Sequence, residues 1–466
     1  MFSKRQYLKV FVFVVAIFSL SNIYALDAKT KNLLKEDCDY LYYCWTNGYV
    51  VNEELEKKGF NVKETISKIE KNYPKQEKFI LKKFPNNAIY ENGIDKFALS
   101  VLIHNNLYEK NNIKDSHYSL DSGKIKFGLP ANKAFFADLF FIKDGNGLYS
   151  VVGNCSYNGK IYTDNPEFLR KCIHENKEMY RYVLLSDTKI TETSISLDGK
   201  DYLFSVYQEK LDRESESIFD SKLFEDTLYI KLNSCNFEKE EDYLCFLSFL
   251  NSIRNLKKTN IVIDFRNNLG GIRKIPYELL MGLFCKDDES KIEFEKKIDF
   301  AEQGVKKLIT PLTVENEYLK NKNEIYLSSK DSEDLHEPEN NLLNDNSEKS
   351  SIKVDSKIYL LMNNKTASAA EMGIACAYLL GEKNVVLIGE NSNGCADYAE
   401  PRTYLLPNSK IEITLCSAEF KKCSLLQNNR NYFGDSFGFF PDYWTTYDEL
   451  NETLQWLTKD SSINIE

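Results

Sequence analysis

The sequence predicts an α/β protein, with an α/β core preceded by an N-terminal helical region and a small β-rich domain. Three observations carry this reading. Apolar residues near the N-terminus recur at three- and four-residue steps. Short β-rich runs broken by glycine turns fill the middle of the chain. From about residue 224 onward, strand-like apolar runs alternate with helical stretches, the rhythm of a parallel sheet with crossover helices.

In chain order, residues 1–25 read as an export signal. Lys4, Arg5 and Lys9 precede the apolar run Val10–Leu20, which is too short to span a bilayer, and the small Ala25 follows. Residues 26–123 read as helical, with Leu34, Cys38, Leu41 and Trp45 on one face and Phe97–Ile103 as a further buried stretch. A small β domain is expected over 124–210, from the runs Ala134–Ile142 and Tyr202–Tyr207 and the hairpin signals at Asp144-Gly and Asp198-Gly. The α/β core is expected over 224–466. Its strands are Leu228–Leu232, Asn260–Phe265, Lys357–Met362 and Asn384–Ile388, with helices at about 238–256, 274–284 and 369–380. Two β segments, Arg402–Leu406 and Lys410–Cys416, and a helix over Glu449–Leu457 close the chain. A polar stretch at about 328–353 interrupts this core and reads as a solvated loop.

Composition narrows the function classes. The 466 residues carry 60 basic and 70 acidic side chains, a net charge of −10, which argues against a nucleic-acid partner. No later segment is apolar enough for stable membrane insertion once the leader is removed, so a secreted or periplasmic protein is expected. Eleven cysteines are an odd number, so at least one lacks an intramolecular partner. Cys416 with Cys423, and Cys155 with Cys172, are candidate disulfides. No Cys-x-x-Cys occurs and there are only four histidines, so neither a metal nor any other cofactor is expected.

Two segments have the chemistry of a hydrolytic site. Thr366-Ala-Ser-Ala-Ala-Glu371 lies between a buried strand and a helix, which puts Ser368 at a helix N-terminus where unpaired amides stabilise negative charge. Asp264-Phe-Arg-Asn-Asn-Leu-Gly-Gly271 ends another buried strand with two glycines, whose backbone is free to turn amides inward. Either segment alone also fits an ordinary helix cap or strand-to-helix turn.

Together, and with Val385–Gly394, they resemble the C-terminal processing (tail-specific) protease family. Its relatives include the tricorn core protease, the chlamydial protease-like activity factor and the interphotoreceptor retinoid-binding protein. The resemblance covers Thr227 to Asp442 and implies a crotonase-like (ClpP/crotonase) β/α core with Ser368 as nucleophile. It also implies an oxyanion site from the amides of Ala369 and of Gly270 or Gly271, and protein or peptide substrates. The dyad lysine of that family is missing, since Cys395 follows Gly394. Asp115-Ser-His117 is similar to the segment that supplies the base in the triad-type branch, which makes His117 the expected base. Asp435 stands at the place of the branch's third member. If Asp435 touches the imidazole, it should hold the pKa of His117 at or above the free value of about 6.5. The β domain resembles at most a degenerate PDZ module. The function implied is a secreted serine endopeptidase working through an acyl-enzyme; the alternative is a catalytically degenerate binding protein on the same fold.

Overall fold

A computed structural model describes residues 26–147, 149–152, 161–162, 168–197, 200–208, 217–237, 239–253, 258–308 and 356–465. The expected export signal over 1–25 and the polar stretch over 328–353 lie outside the described residues.

The centre of the molecule is a six-stranded sheet. Its spatial order is Phe219–Leu223, Thr227–Leu232, Asn260–Asp264, Lys357–Met362, Val385–Gly389 and Tyr443–Trp444. The first pair is antiparallel and every later pair is parallel. The parallel strands are continuous apolar runs because both faces are covered. On one face Ile230, Ile263, Leu360 and Leu387 pack with helices Glu240–Ile253, Lys274–Phe284, Asp288–Ala301 and Ala369–Ala377. On the other, Tyr229, Val262, Leu361 and Ile388 lie under Leu450 and Leu454 of helix Leu450–Thr458. Asp264 pairs with Leu361, and Leu361 with Ile388, so three strands end side by side. Loops leaving such carboxyl ends are where α/β sheets build their sites.

A second sheet joins the two ends of the chain. Ser119–Asp121 pairs antiparallel with Glu412–Glu419, which also pairs with Tyr398–Leu405. Helices Ala28–Gly48, Val62–Lys83 and Lys96–Ile103 close over this sheet, with Leu34, Leu41 and Trp45 in one core with Tyr404, Ile413 and Leu415. The loop just before Ser119 is thereby fixed against strands from the end of the chain.

The middle of the chain forms a seven-stranded sheet between Lys133 and Tyr207. The fully buried Arg181 ties it to the core. Its guanidinium donates to Glu449 at 2.7 Å, to Asp138 at 2.7 Å and to the Ala137 carbonyl at 3.0 Å. A buried charge needs such pairing to be tolerated. Cys416 and Cys423 are both free thiols. They do not form the expected disulfide because they lie in different cores, Cys416 beneath the N-terminal helices and Cys423 against the central sheet. Cys172 is also a free thiol, and Cys155 lies outside the described residues. Among the described residues no helix is long and apolar enough to cross a membrane.

Candidate active site

The two motif loops interlock. Thr366 donates its hydroxyl to the Phe265 carbonyl at 2.9 Å and accepts from the Asn363 amide at 3.0 Å. The Ala367 amide donates to the Asn268 carbonyl at 2.9 Å, and the Asn267 amide donates to Asn363 Oδ1 at 3.1 Å. Below them Arg266 is bidentate to the buried Asp264, which also accepts from Tyr229 at 2.7 Å. Gly270 is required by this close approach. Its φ is +95°, and a Cβ there would come within 2.8 Å of Ser368 Cβ and of the Ala367 carbonyl oxygen.

Ser368 itself has φ 52° and ψ −117°, a backbone conformation a non-glycine residue adopts only when its surroundings impose it. The imposing group is Glu371, fully buried one turn along the helix. Its carboxylate accepts from the amides of Ser368 at 3.0 Å, Gly394 at 2.9 Å and Cys395 at 2.7 Å, and from the Ser392 hydroxyl. Burial pushes the Glu371 carboxyl up to about 7, against those four hydrogen bonds, which favour the anion. Cys395, where the sequence resemblance leads one to look for a lysine, is buried. Burial and then the Asp435 and Glu371 carboxylates hold its thiol well above the ordinary range. That is the environment of an inert thiol rather than of a base.

His117 approaches from the other sheet. Its Nε2 lies 3.3 Å from Ser368 Oγ, across 251 residues of sequence. The turn that presents it is set by Asp115, whose Oδ1 accepts from the amides of His117 at 2.9 Å and Tyr118 at 3.2 Å. Asp115 Oδ2 accepts from the Tyr49 hydroxyl at 3.0 Å, and the Asp115 carbonyl accepts from Tyr108 at 3.0 Å. Burial raises Asp115 to about 6. The sequence flagged His117 and passed over Asp115 and Glu371, although both stand in the quoted motifs.

Three expectations change here. Asp435 does not bond to the imidazole, because its oxygens accept from the Ser116 amide at 2.8 Å and the Asp397 amide at 2.9 Å. His117 Nδ1 is buried with no hydrogen-bond partner among the described residues. Burial therefore acts unopposed, and it lowers the His117 pKa to about 4 where a value at or above 6.5 was expected. Gly270 is not free to serve an oxyanion, since its amide donates to Asn268 Oδ1 at 2.9 Å. Beside these changes, the fold brings together ligand-type residues that are far apart in sequence: ligand atoms of Asp115, His117 and Cys416 all lie within 4.8 Å of one another.

Residues 226–422 match the family model described as Peptidase family S41. The matched segment is less than half of the chain, contains both motif loops and is similar to the peptidases of that family. No curated protein matches the chain in sequence. Among solved structures it is similar to mature CPAF complexed with lactacystin, at 12% identity over 92% of this chain and 98% of that one, with a TM-score of 0.38. A lipoprotein from Streptococcus agalactiae matches at 18% identity over 53% of this chain and 70% of that one, TM-score 0.31. The tricorn protease matches at 12% identity over 92% of this chain and 36% of that one, TM-score 0.33.

Proposed function

We propose that this chain is an exported serine endopeptidase in which His117 and Ser368 carry out the chemistry. The observation that carries the reading is the 3.3 Å contact between His117 Nε2 and Ser368 Oγ. Ser368 Oγ attacks the scissile carbonyl while Nε2 takes its proton, and the imidazolium then gives that proton to the departing amine. Water repeats the sequence on the acyl-enzyme. For Nε2 to accept, the neutral ring carries its proton on Nδ1. The amide of Ala369, at the first position of its helix where no intrahelical partner exists, and that of Gly271 are the oxyanion donors. Export rests on the basic and apolar pattern of residues 4–25.

Ser368→Ala is expected to lose peptide hydrolysis and labelling by a serine-directed phosphonate, and His117→Ala to lose ~10⁴-fold in kcat/KM, both with unchanged far-UV circular dichroism. Turnover by Ser368→Ala, purified free of host peptidases, would remove this reading.

A further inference from the structure

We propose that Asp115, His117 and Cys416 form a zinc site that switches the peptidase off by holding the imidazole in the wrong tautomer. The switch rests on His117 being the base; the metal site itself does not.

The three side chains carry a carboxylate, an imidazole nitrogen and a thiol, the set that zinc prefers, and a fourth position is left for water. Their ligand atoms lie within 4.8 Å of one another, and Cys416 Sγ is 3.6 Å from Asp115 Oδ1. With zinc bonds of about 2.0 Å to nitrogen or oxygen and 2.3 Å to sulfur, tetrahedral ligand atoms stand roughly 3.3–3.6 Å apart. The sulfur–oxygen pair already has this spacing, and the remaining gaps close with movements of about 1 Å. The second observation is His117 Nδ1, buried with no partner among the described residues. A buried imidazole nitrogen ordinarily has one. The scaffold under the site is stiff: Cys416 lies on strand Glu412–Glu419, which pairs with the strand that follows His117.

The chemical consequence follows from proton counting. Zinc on Nδ1 displaces the proton from that nitrogen, so the neutral ring must carry it on Nε2. An Nε2–H donates towards Ser368 Oγ and has no lone pair to accept the serine proton. Cys416 binds as thiolate and gives its proton to solvent, so each zinc taken up releases at least one proton. Burial holds the free thiol well above its ordinary range, so the metal must provide the driving force for that loss. Asp115 and Cys416 are fully buried, so inhibition should set in slowly, as the His117 loop opens.

The test uses the full chain with cobalt(II) as a visible substitute for zinc. Wild type and Ser368→Ala should each show a thiolate-to-cobalt charge-transfer band that zinc abolishes, and Cys416→Ser should lack it. Zinc should inhibit wild-type hydrolysis with slow onset, reversed by a chelator. Within Cys416→Ser, the half-inhibiting zinc concentration relative to its own uninhibited rate should rise at least ~10-fold. Should Cys416→Ser fail to fold, Cys416→Ala and the proton release of wild type on zinc addition supply the same tests. An unaltered cobalt band, or unaltered zinc sensitivity, in a folded Cys416 variant would overturn the site. A cobalt band without inhibition, when His117→Ala is inactive, would overturn the switch. If His117→Ala is fully active, the base assignment fails while the band still reports the site.

Discussion

The two halves of the site are built to different standards. On the nucleophile side, every constraint on Ser368 is met by a hydrogen-bonded group: Glu371 takes four donors, and the loops at 264–271 and 363–368 are laced together through their backbones. On the side of the proposed base, Asp115 fixes the backbone of His117, but the ring's own Nδ1 has no hydrogen-bond partner among the described residues. A strained nucleophile must be over-determined by its surroundings. A base needs only to be in reach, and the bare nitrogen leaves its tautomer open to other influences. Under the proposed mechanism the site is thus rigid at Ser368 and adjustable at His117.

The rigid half should break most severely. Glu371→Gln exchanges one acceptor oxygen for an amide that faces N–H donors, leaving one or two buried donors unpaired at ~1–3 kcal/mol each. The Ser368 loop relaxes, and a displacement of about 1 Å costs roughly 10²-fold in kcat/KM. Thermal unfolding and peptide kinetics together measure both. The pH dependence of stability should change as well. The Glu371 carboxyl is raised in the folded state from its ordinary 4.5 to about 7, so the native state holds the proton more tightly. Its ionisation therefore costs nothing below pH 4.5 and the full amount above about 7, and wild-type stability falls as pH rises through that interval. That part of the slope should vanish in Glu371→Gln. A slope that persists would mean Glu371 is ionised throughout.

An intermediate effect is expected on the base side. Asp115→Ala removes the acceptor for the His117 and Tyr118 amides and should cost ~10–100-fold in kcat/KM through misplacement of the ring. Asp115→Asn keeps that acceptor, and its amide can donate to the Tyr49 oxygen, so it should restore most of the rate. If Asn is as poor as Ala, the negative charge of Asp115 matters in itself, and the base side is more completely built than its hydrogen bonds indicate.

What was legible in the sequence divides along the same line. The four inner strands of the central sheet were readable because buried parallel strands are unbroken apolar runs, whereas the edge strands Phe219–Leu223 and Tyr443–Trp444 were not. Helix Asp288–Ala301 was not, because its core contacts are only Phe294, Ile298 and Ala301 among eight charged residues. The strands Leu169–His174 and Lys177–Ser186 were hidden by the charged Arg170, Lys171 and Arg181, the last of which is buried only through partners distant in sequence. Ser368 and His117 were singled out through motif order. Glu371 and Asp115 were quoted and passed over, since only the fold shows that their acceptors meet donors from several segments. The closeness of Asp115, His117 and Cys416 depends on the pairing of Ser119 with Thr414, which no local pattern reveals.

The smallest effect is predicted for Asp435, and it separates the two accounts of the base. Were Asp435 bonded to the imidazole, Asp435→Asn would lower both the rate and the pH at which activity appears. In the structure Asp435 holds the Ser116 and Asp397 amides instead. Asp435→Asn removes one of these two acceptors, and the loop before His117 shifts slightly, for a loss of about 10-fold or less in kcat/KM. The acid limb should stay where it is. His117 must be neutral to accept a proton, and burial favours its neutral form, lowering its pKa from 6.5 to about 4. Activity in wild type should therefore fall only as pH drops through about 4, and the plateau should already be reached by pH 6.5. Profiles of kcat/KM for wild type and Asp435→Asn, taken over the range in which both stay folded, should superimpose after scaling. A wild-type limb at or above 6.5 that moves down in Asp435→Asn would show that the carboxylate reaches Nδ1 once substrate is bound, and the bare nitrogen would then be a feature of the free enzyme alone.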